Sequence, residues 1–145
     1  MKIKQLSLFL ENKPGHLKTV CRALADADVN ILTLSLADTQ QFGILRLIVP
    51  DWQSAKQVLE AAGAVVNVTD VVATEVEDKP GGLADILAII DDAGLNIEYM
   101  YAFTFRRNDR AVLVFRFDDP DAAAEVLQGK GINVIGEVEL FGDDG

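Results

Sequence analysis

The sequence predicts an α+β protein in which one βαββαβ unit is written twice. Three observations carry that prediction. Residues 11–17, Glu-Asn-Lys-Pro-Gly-His-Leu, return at 77–83 as Glu-Asp-Lys-Pro-Gly-Gly-Leu. Aligning residues 5–36 on 71–102 gives nine identities in 32 positions, among them the Asp-Ala pairs 26–27 and 92–93 and the Asn-Ile pairs 30–31 and 96–97. Around these anchors, runs of strand period and runs of helix period follow one another in the same order in both halves. So many matches in one register mark an internal duplication.

Taken in order, residues 3–10 alternate as a strand with Leu6, Leu8 and Leu10 on one side. Pro14-Gly15 ends it, because proline presets φ and glycine accepts a conformation that a side chain resists. Leu17, Val20, Cys21 and Leu24 then fall at i, i+3, i+4 and i+7, one face of a helix. Cys21 lies in that stripe and reads as a buried, inert thiol. Strands are expected at 29–36 and 44–49 around a polar turn at 38–41. Asp51 suits the cap of a second helix carrying Ala55, Val58, Leu59 and Ala62, with Gly63 at its close. A fourth strand, 64–69, completes the unit.

The second copy repeats this with a strand at 71–76 and a helix face of Leu83, Ile86, Leu87 and Ile90. A strand at 95–105, a turn at 106–109 and a strand at 111–117 follow. Asp119 and Pro120 open a helix. Its Ala123, Val126 and Leu127 match Ala55, Val58 and Leu59 at an offset of 68 rather than 66. The two extra residues are expected in the hairpin tip. Residues 132–141 read as the last strand. The expected organisation is therefore two domains, residues 1–69 and 70–141, with 142–145 as an acidic tail. Each has the split βαβ, ferredoxin-like layout: an antiparallel sheet with its helices on one face. In the second copy Tyr99, Tyr101, Phe103 and Phe105 share one side of a strand, and Leu113, Phe115 and Phe117 share one side of its neighbour. The opposite sides are apolar too, so a covering surface is implied.

Units of about 70 residues bury little surface alone, so pairing of the units and a homodimer are expected. The net charge of −10 repels a phosphate backbone, and the few basic residues are scattered, which argues against nucleic acid and acidic lipid as partners. One cysteine and one histidine leave no intrachain disulfide, thiolate cluster or histidine-based metal site. No apolar run reaches membrane-spanning length, and no signal-peptide pattern opens the chain, so the cytoplasm is the expected compartment. No catalytic set, phosphate cradle or cofactor motif is present; a Ser-His-Asp arrangement would have to use His16.

The repeated loop is the candidate site. A helix opening at Gly15 or Gly81 presents backbone N–H groups and a positive dipole end to which a carboxylate can dock. Asn12 or Asp78 offers an acceptor to an ammonium group, and an α-amino acid carries both groups. A second reading of the same residues is plain turn chemistry, with Asn12 or Asp78 as a helix cap and Lys13 and Lys79 as surface charges. His16 faces Gly82 across the duplication, so the two loops are expected to be unequal.

The Asn/Asp-Lys-Pro-Gly-x-Leu entry, the amphipathic helix and the Asn-Ile that follows it resemble the ACT domain, in two tandem copies covering nearly the whole chain. The resemblance implies a non-catalytic regulatory module that binds a free amino acid at an interface between domains, beside the first strand–helix loops. Carried onto this sequence, the implied ligand-binding positions are Asn12, Lys13, Pro14, Gly15, His16, Leu17, Asn30 and Ile31 in the first copy. In the second they are Asp78, Lys79, Pro80, Gly81, Gly82, Leu83, Asn96 and Ile97. From the residues alone, Asn30 and Asn96 read as turn-to-strand positions. The first loop also resembles small subunits of acetolactate synthase, which implies docking on a separate amino-acid-metabolism enzyme as an alternative. The long C-terminal domain of that family has no counterpart here.

Overall fold

The computed structural model describes residues 1–11, 13–38 and 42–141. The elements are β1 (Ile3–Glu11), α1 (His16–Asp26), β2 (Thr33–Asp38), β3 (Phe42–Ile48), α2 (Trp52–Ala61), β4 (Val66–Glu77), α3 (Gly82–Asp92), β5 (Ile97–Arg107), β6 (Arg110–Phe117), α4 (Pro120–Gly129), β7 (Val134–Ile135) and α5 (Glu137–Phe141). They divide into two compact units, residues 4–69 and residues 70–145 together with 1–3. The architecture is α+β with antiparallel strands, as the duplicated pattern predicts. Asn12, residues 39–41 of the expected turn, the side chain of Phe105 and the tail 142–145 lie outside the described residues.

In the first unit β3 lies between β1 and β2, antiparallel to both, with Leu8 opposite Leu45 and Leu34 opposite Leu47. β4 adjoins the other edge of β1. Alternation sends Leu6, Leu8, Leu10, Leu45 and Leu47 to one side, where Val20 and Leu24 of α1 and Ala55 and Leu59 of α2 meet them. Burying each leucine contributes about 1.5–3 kcal/mol, which is what binds both helices to one face. The Asp51 carboxylate caps α2 by accepting from the Ser54 amide at 3.2 Å.

The second unit repeats the order. β6 lies between β4 and β5, and β7 pairs the other edge of β4. Val72, Val76, Leu113, Phe115 and Phe117 face Ile86, Ile90, Ala123 and Leu127. Phe115 and Phe117 stack with centroids 5.6 Å apart. Of the two expected rows, the one on β6 is thus the helix-side core. Tyr99 and Tyr101, opposite Arg116 and Val114, point to the other face. That face is buried as well, since Val71, Ala73, Val112 and Val114 are at most 1% exposed. Asp119 caps α4 from the Ala122 amide at 3.1 Å, with Pro120 in the first turn.

Several expectations are corrected. The strands expected at 64–69 and 71–76 are one strand, β4, because no glycine or proline bends the chain between Val66 and Glu77. β2 and β5 begin at Thr33 and Ile97, later than the apolar runs do. The two extra residues of the second copy are not in the hairpin tip. Pairs Tyr99–Arg116 and Ala102–Leu113 match Thr33–Ile48 and Leu36–Leu45, whereas Arg106 next pairs Ala111, so the insertion is a bulge within β5. The tip is a tight turn through Asn108 and Asp109, both at positive φ (54° and 60°).

The expected last strand, 132–141, pairs only at Val134 and Ile135, and α5 follows Gly136. The Leu140 amide donates to the Gly136 carbonyl at 3.0 Å. Arg107 donates to the Glu139 carbonyl at 2.7 Å while its Nε pairs with buried Glu75 at 2.9 Å, so the guanidinium draws this segment into a helical turn. Leu17 and Leu83 are not core residues either; they are 38% and 41% exposed. The buried stripes are Val20 and Leu24 in α1, and Gly82, Ile86 and Ile90 in α3, which leaves both leucines at the rim of the first turn.

Candidate functional site

The two strand–helix loops fold alike. Gly15 and Gly81 sit in the left-handed region, at φ 92° and 89°, and each stands at the N-cap of its helix with no side-chain cap among the described residues. The His16 amide donates to the Lys13 carbonyl and the Gly82 amide to the Lys79 carbonyl, at 3.5 and 3.0 Å. One turn on, the Thr19 amide reaches the Gly15 carbonyl at 3.0 Å and the Asp85 amide the Gly81 carbonyl at 2.9 Å. Asp78 is therefore not a helix cap. Its carboxylate pairs with the Arg106 guanidinium, which competes with any role as an ammonium acceptor.

A second device is repeated beside each loop. The Lys13 ammonium pairs with Glu11 at 3.0 Å, and the Lys79 ammonium with Glu77 at 2.6 Å. The hydrogen bond and charge of the lysine hold the Glu11 and Glu77 carboxyls below their ordinary value, and the bond to Glu77 raises the Lys79 ammonium. All four side chains are more than half exposed, so these clamps are screened by salt and contribute little stability.

The Asn-Ile pairs stand elsewhere. Glu11 lies opposite Phe42 at one end of β3, whereas Thr33, just after Asn30 and Ile31, lies opposite Ile48 at the other. Five residues of strand separate Gly43 from Ile48, about 17 Å. In the second unit Glu77 likewise lies opposite Arg110, and Ile97 opposite Phe117. Asn30 and Asn96 are exposed, and Ile31 and Ile97 pack against their cores. Within a unit the structure brings Lys13 to Leu17, or Asp78 to Leu83, together and leaves the Asn-Ile pair at the far end of the sheet.

Each loop opens beside a cleft made by the end of the preceding strand, the first turn of the helix and the segment just after the unit's second helix. In the first unit the cleft holds about 240 Å³ and is lined by Leu10, Glu11, His16, Thr19, Val20 and Ala64, among others. In the second it holds about 400 Å³, and Val76, Glu77, Gly82, Asp85, Ile86 and Ile132 take the corresponding places. Glu75, Lys79, Ile89, Arg110 and Asn133 complete it. A volume of about 400 Å³ lies within the range of small-molecule sites, roughly 300–1,000 Å³. Sequence reasoning missed Asp85, Arg110, Ile132 and Asn133. Asp85 is one turn beyond Gly81 and could have been found from helix spacing, whereas Arg110 reaches the cleft only through the β4–β6 register.

Among the described residues no group of three His, Cys, Asp or Glu side chains is placed to hold a metal ion. No helix among them is long and apolar enough to cross a membrane.

A family model described as an ACT domain pair matches residues 1–142. Among solved structures, protein BT0572 from Bacteroides thetaiotaomicron is 40% identical, with a TM-score of 0.90 over 97% of this chain and 96% of that one. The regulatory subunit of aspartate kinase from Thermus thermophilus, in its ligand-free form, is 18% identical, with a TM-score of 0.63 over 87% of this chain and 91% of that one. Aspartate kinase from Clostridium acetobutylicum is 12% identical, with a TM-score of 0.55; 88% of this chain matches 33% of that one. These last two share the fold. No curated protein matches.

Proposed function

Because the chain belongs to the family of ACT domain pairs, we propose that it is a non-catalytic regulatory protein that binds a free amino acid at its strand–helix loops. The observation that carries this is the matching glycine turn of the two loops. Each puts a glycine at φ near 90° immediately before a helix, so no Cβ stands in the way of a carboxylate approaching the first-turn amides beyond those of His16 and Gly82, which already bond within the loop. For Gly15 and Gly81 alike, the space where a Cβ would stand has no atom within 4 Å. The binding positions are Lys13 to Leu17 and Asp78 to Leu83, with Asn12 as the first loop's acceptor. Asn30, Ile31, Asn96 and Ile97 take part only if a neighbouring domain supplies them, which fits an interface site and a homodimer in the cytoplasm.

A thermal-shift screen with the twenty amino acids tests this. A ligand at 100 times its Kd adds about 2.7 kcal/mol to stability, so at least one amino acid raises the melting temperature. If none does, the sensor reading falls.

A second reading is docking on a separate amino-acid-metabolism enzyme, of the acetolactate synthase type or another. The fold shared with the regulatory subunit of aspartate kinase from Thermus thermophilus favours it. Co-purification of a catalytic chain from the native source is the expected outcome under this reading, and recovery of the protein alone argues for a free-standing sensor.

A further inference from the structure

We propose that the cleft of the second unit is itself a binding site for an aliphatic α-amino acid, whose ammonium pairs with Asp85 and whose carboxylate pairs with Arg110. This rests on the amino-acid-binding reading above and moves the ligand from the loop backbone to a cleft inside one unit. Five charged side chains line this cleft, and three are already satisfied or balanced. Glu75 is held by Arg107 at 2.9 Å, and Glu77 and Lys79 hold each other at 2.6 Å. That leaves one carboxylate, Asp85, and one guanidinium, Arg110. Among the described residues neither side chain makes a hydrogen bond or an ion pair; they feel Lys79 and Glu77 only at longer range. One uncommitted anion and one uncommitted cation in the same cleft complement a zwitterion. Apart from Asn133 and two glycines, the remaining wall is Val76, Ile86, Ile89 and Ile132, which suits an aliphatic side chain.

The first unit provides an internal comparison. There Thr19 stands where Asp85 does, and its hydroxyl donates to the Gly15 carbonyl at 2.8 Å. Phe42, opposite Glu11, stands where Arg110 stands opposite Glu77. His16 replaces Gly82, and the cleft shrinks to about 240 Å³. Both charges are gone from the corresponding places and the space is smaller, so among the described residues only the second cleft carries this pair.

Calorimetric titration of the full chain with L-leucine, L-isoleucine and L-valine, against L-aspartate and L-lysine, tests the assignment. The aliphatic amino acids are expected to bind, with the two charged ones at least tenfold weaker. Asp85→Asn and Arg110→Gln are each expected to weaken leucine at least tenfold. Leucinamide, which lacks the carboxylate, should bind wild type poorly and lose nothing further in Arg110→Gln. The corresponding 2-oxo acid, which lacks the ammonium, should behave likewise with Asp85→Asn. If an amino acid binds and both variants retain its affinity while Gly15→Val abolishes it, the ligand sits at the loops; this proposal is then wrong and the sensor reading survives. If no amino acid binds, both fall.

Discussion

At the scale of single residues, two adjacent glycines resist substitution for different reasons. Gly81 has open space around it but a φ of +89°, so only its backbone conformation resists substitution. Gly82 is buried, and a Cβ there would stand 2.1 Å from the Glu77 carbonyl oxygen. Gly81→Ala is expected to cost about 1–2 kcal/mol, with Gly81→Asn recovering part of it because asparagine tolerates the left-handed region. Gly82→Ala is expected to cost about 1–3 kcal/mol through overpacking, with no recovery in Gly82→Asn. Urea denaturation of the four variants checks both. The hydroxyl of Thr74 makes a third residue-scale case. It is fully buried and has no hydrogen-bond partner among the described residues, at the position where the first copy has Leu8. Thr74→Val removes that unmet group at nearly constant volume and should stabilise the protein by about 1 kcal/mol, read by the same denaturation.

At the scale of elements, the strand–helix junction carries a titratable clamp whose pH range follows from its two partners. The Glu77 carboxyl is depressed by Lys79, so its contribution is complete above the ordinary value of 4.5 and is lost as pH falls through the folded value. The Lys79 ammonium is raised, so its contribution is complete below 10.5 and is lost as pH climbs through the folded value. The clamp thus operates between those limits and weakens with salt. In a carbon-detected NMR titration the Glu77 carboxyl should titrate below 4.5 in wild type and move back toward it in Lys79→Met; an unchanged midpoint would show that the pair does not form in solution. At the same scale, the bulge in β5 and the turn of α5 are linked by Arg107, which sits just past the bulge and reaches both Glu75 and Glu139. Hydrophobic periodicity carries no trace of this, because the residue that redirects the C-terminal segment is 32 positions away in sequence.

At the scale of the whole molecule, the two units are not joined by a linker. β4 runs unbroken from Val66 to Glu77 while the division between units falls at Thr69 and Asp70. Residues 1–3 group with the second unit: Lys2 pairs with Asp70 at 3.6 Å and Asp121 at 3.1 Å, and Ile3 is fully buried. Separately produced fragments 1–69 and 70–145 would each lose part of this. The cut interrupts β4, and the second fragment forfeits its first three residues. Both fragments are expected to melt below the full chain by circular dichroism, in keeping with the small core of a 70-residue unit. Equal melting temperatures would mean that the shared strand adds nothing.

The sequence by itself determined the duplication, the α+β class, the caps at Asp51 and Asp119, the left-handed glycines before both first helices, and the family. All of these depend on local chemistry: side-chain periodicity, capping oxygens and the conformational range of glycine. Tertiary structure alone decided where the inserted residues went, that the chain ends in a helical turn rather than a strand, and that the Asn-Ile pairs lie a strand's length from the loops. It also decided that Asp85 and Arg110 share a cleft. Each of these is set by strand register or by an ion pair between distant residues, and a register is a choice among pairings that local pattern leaves equally open.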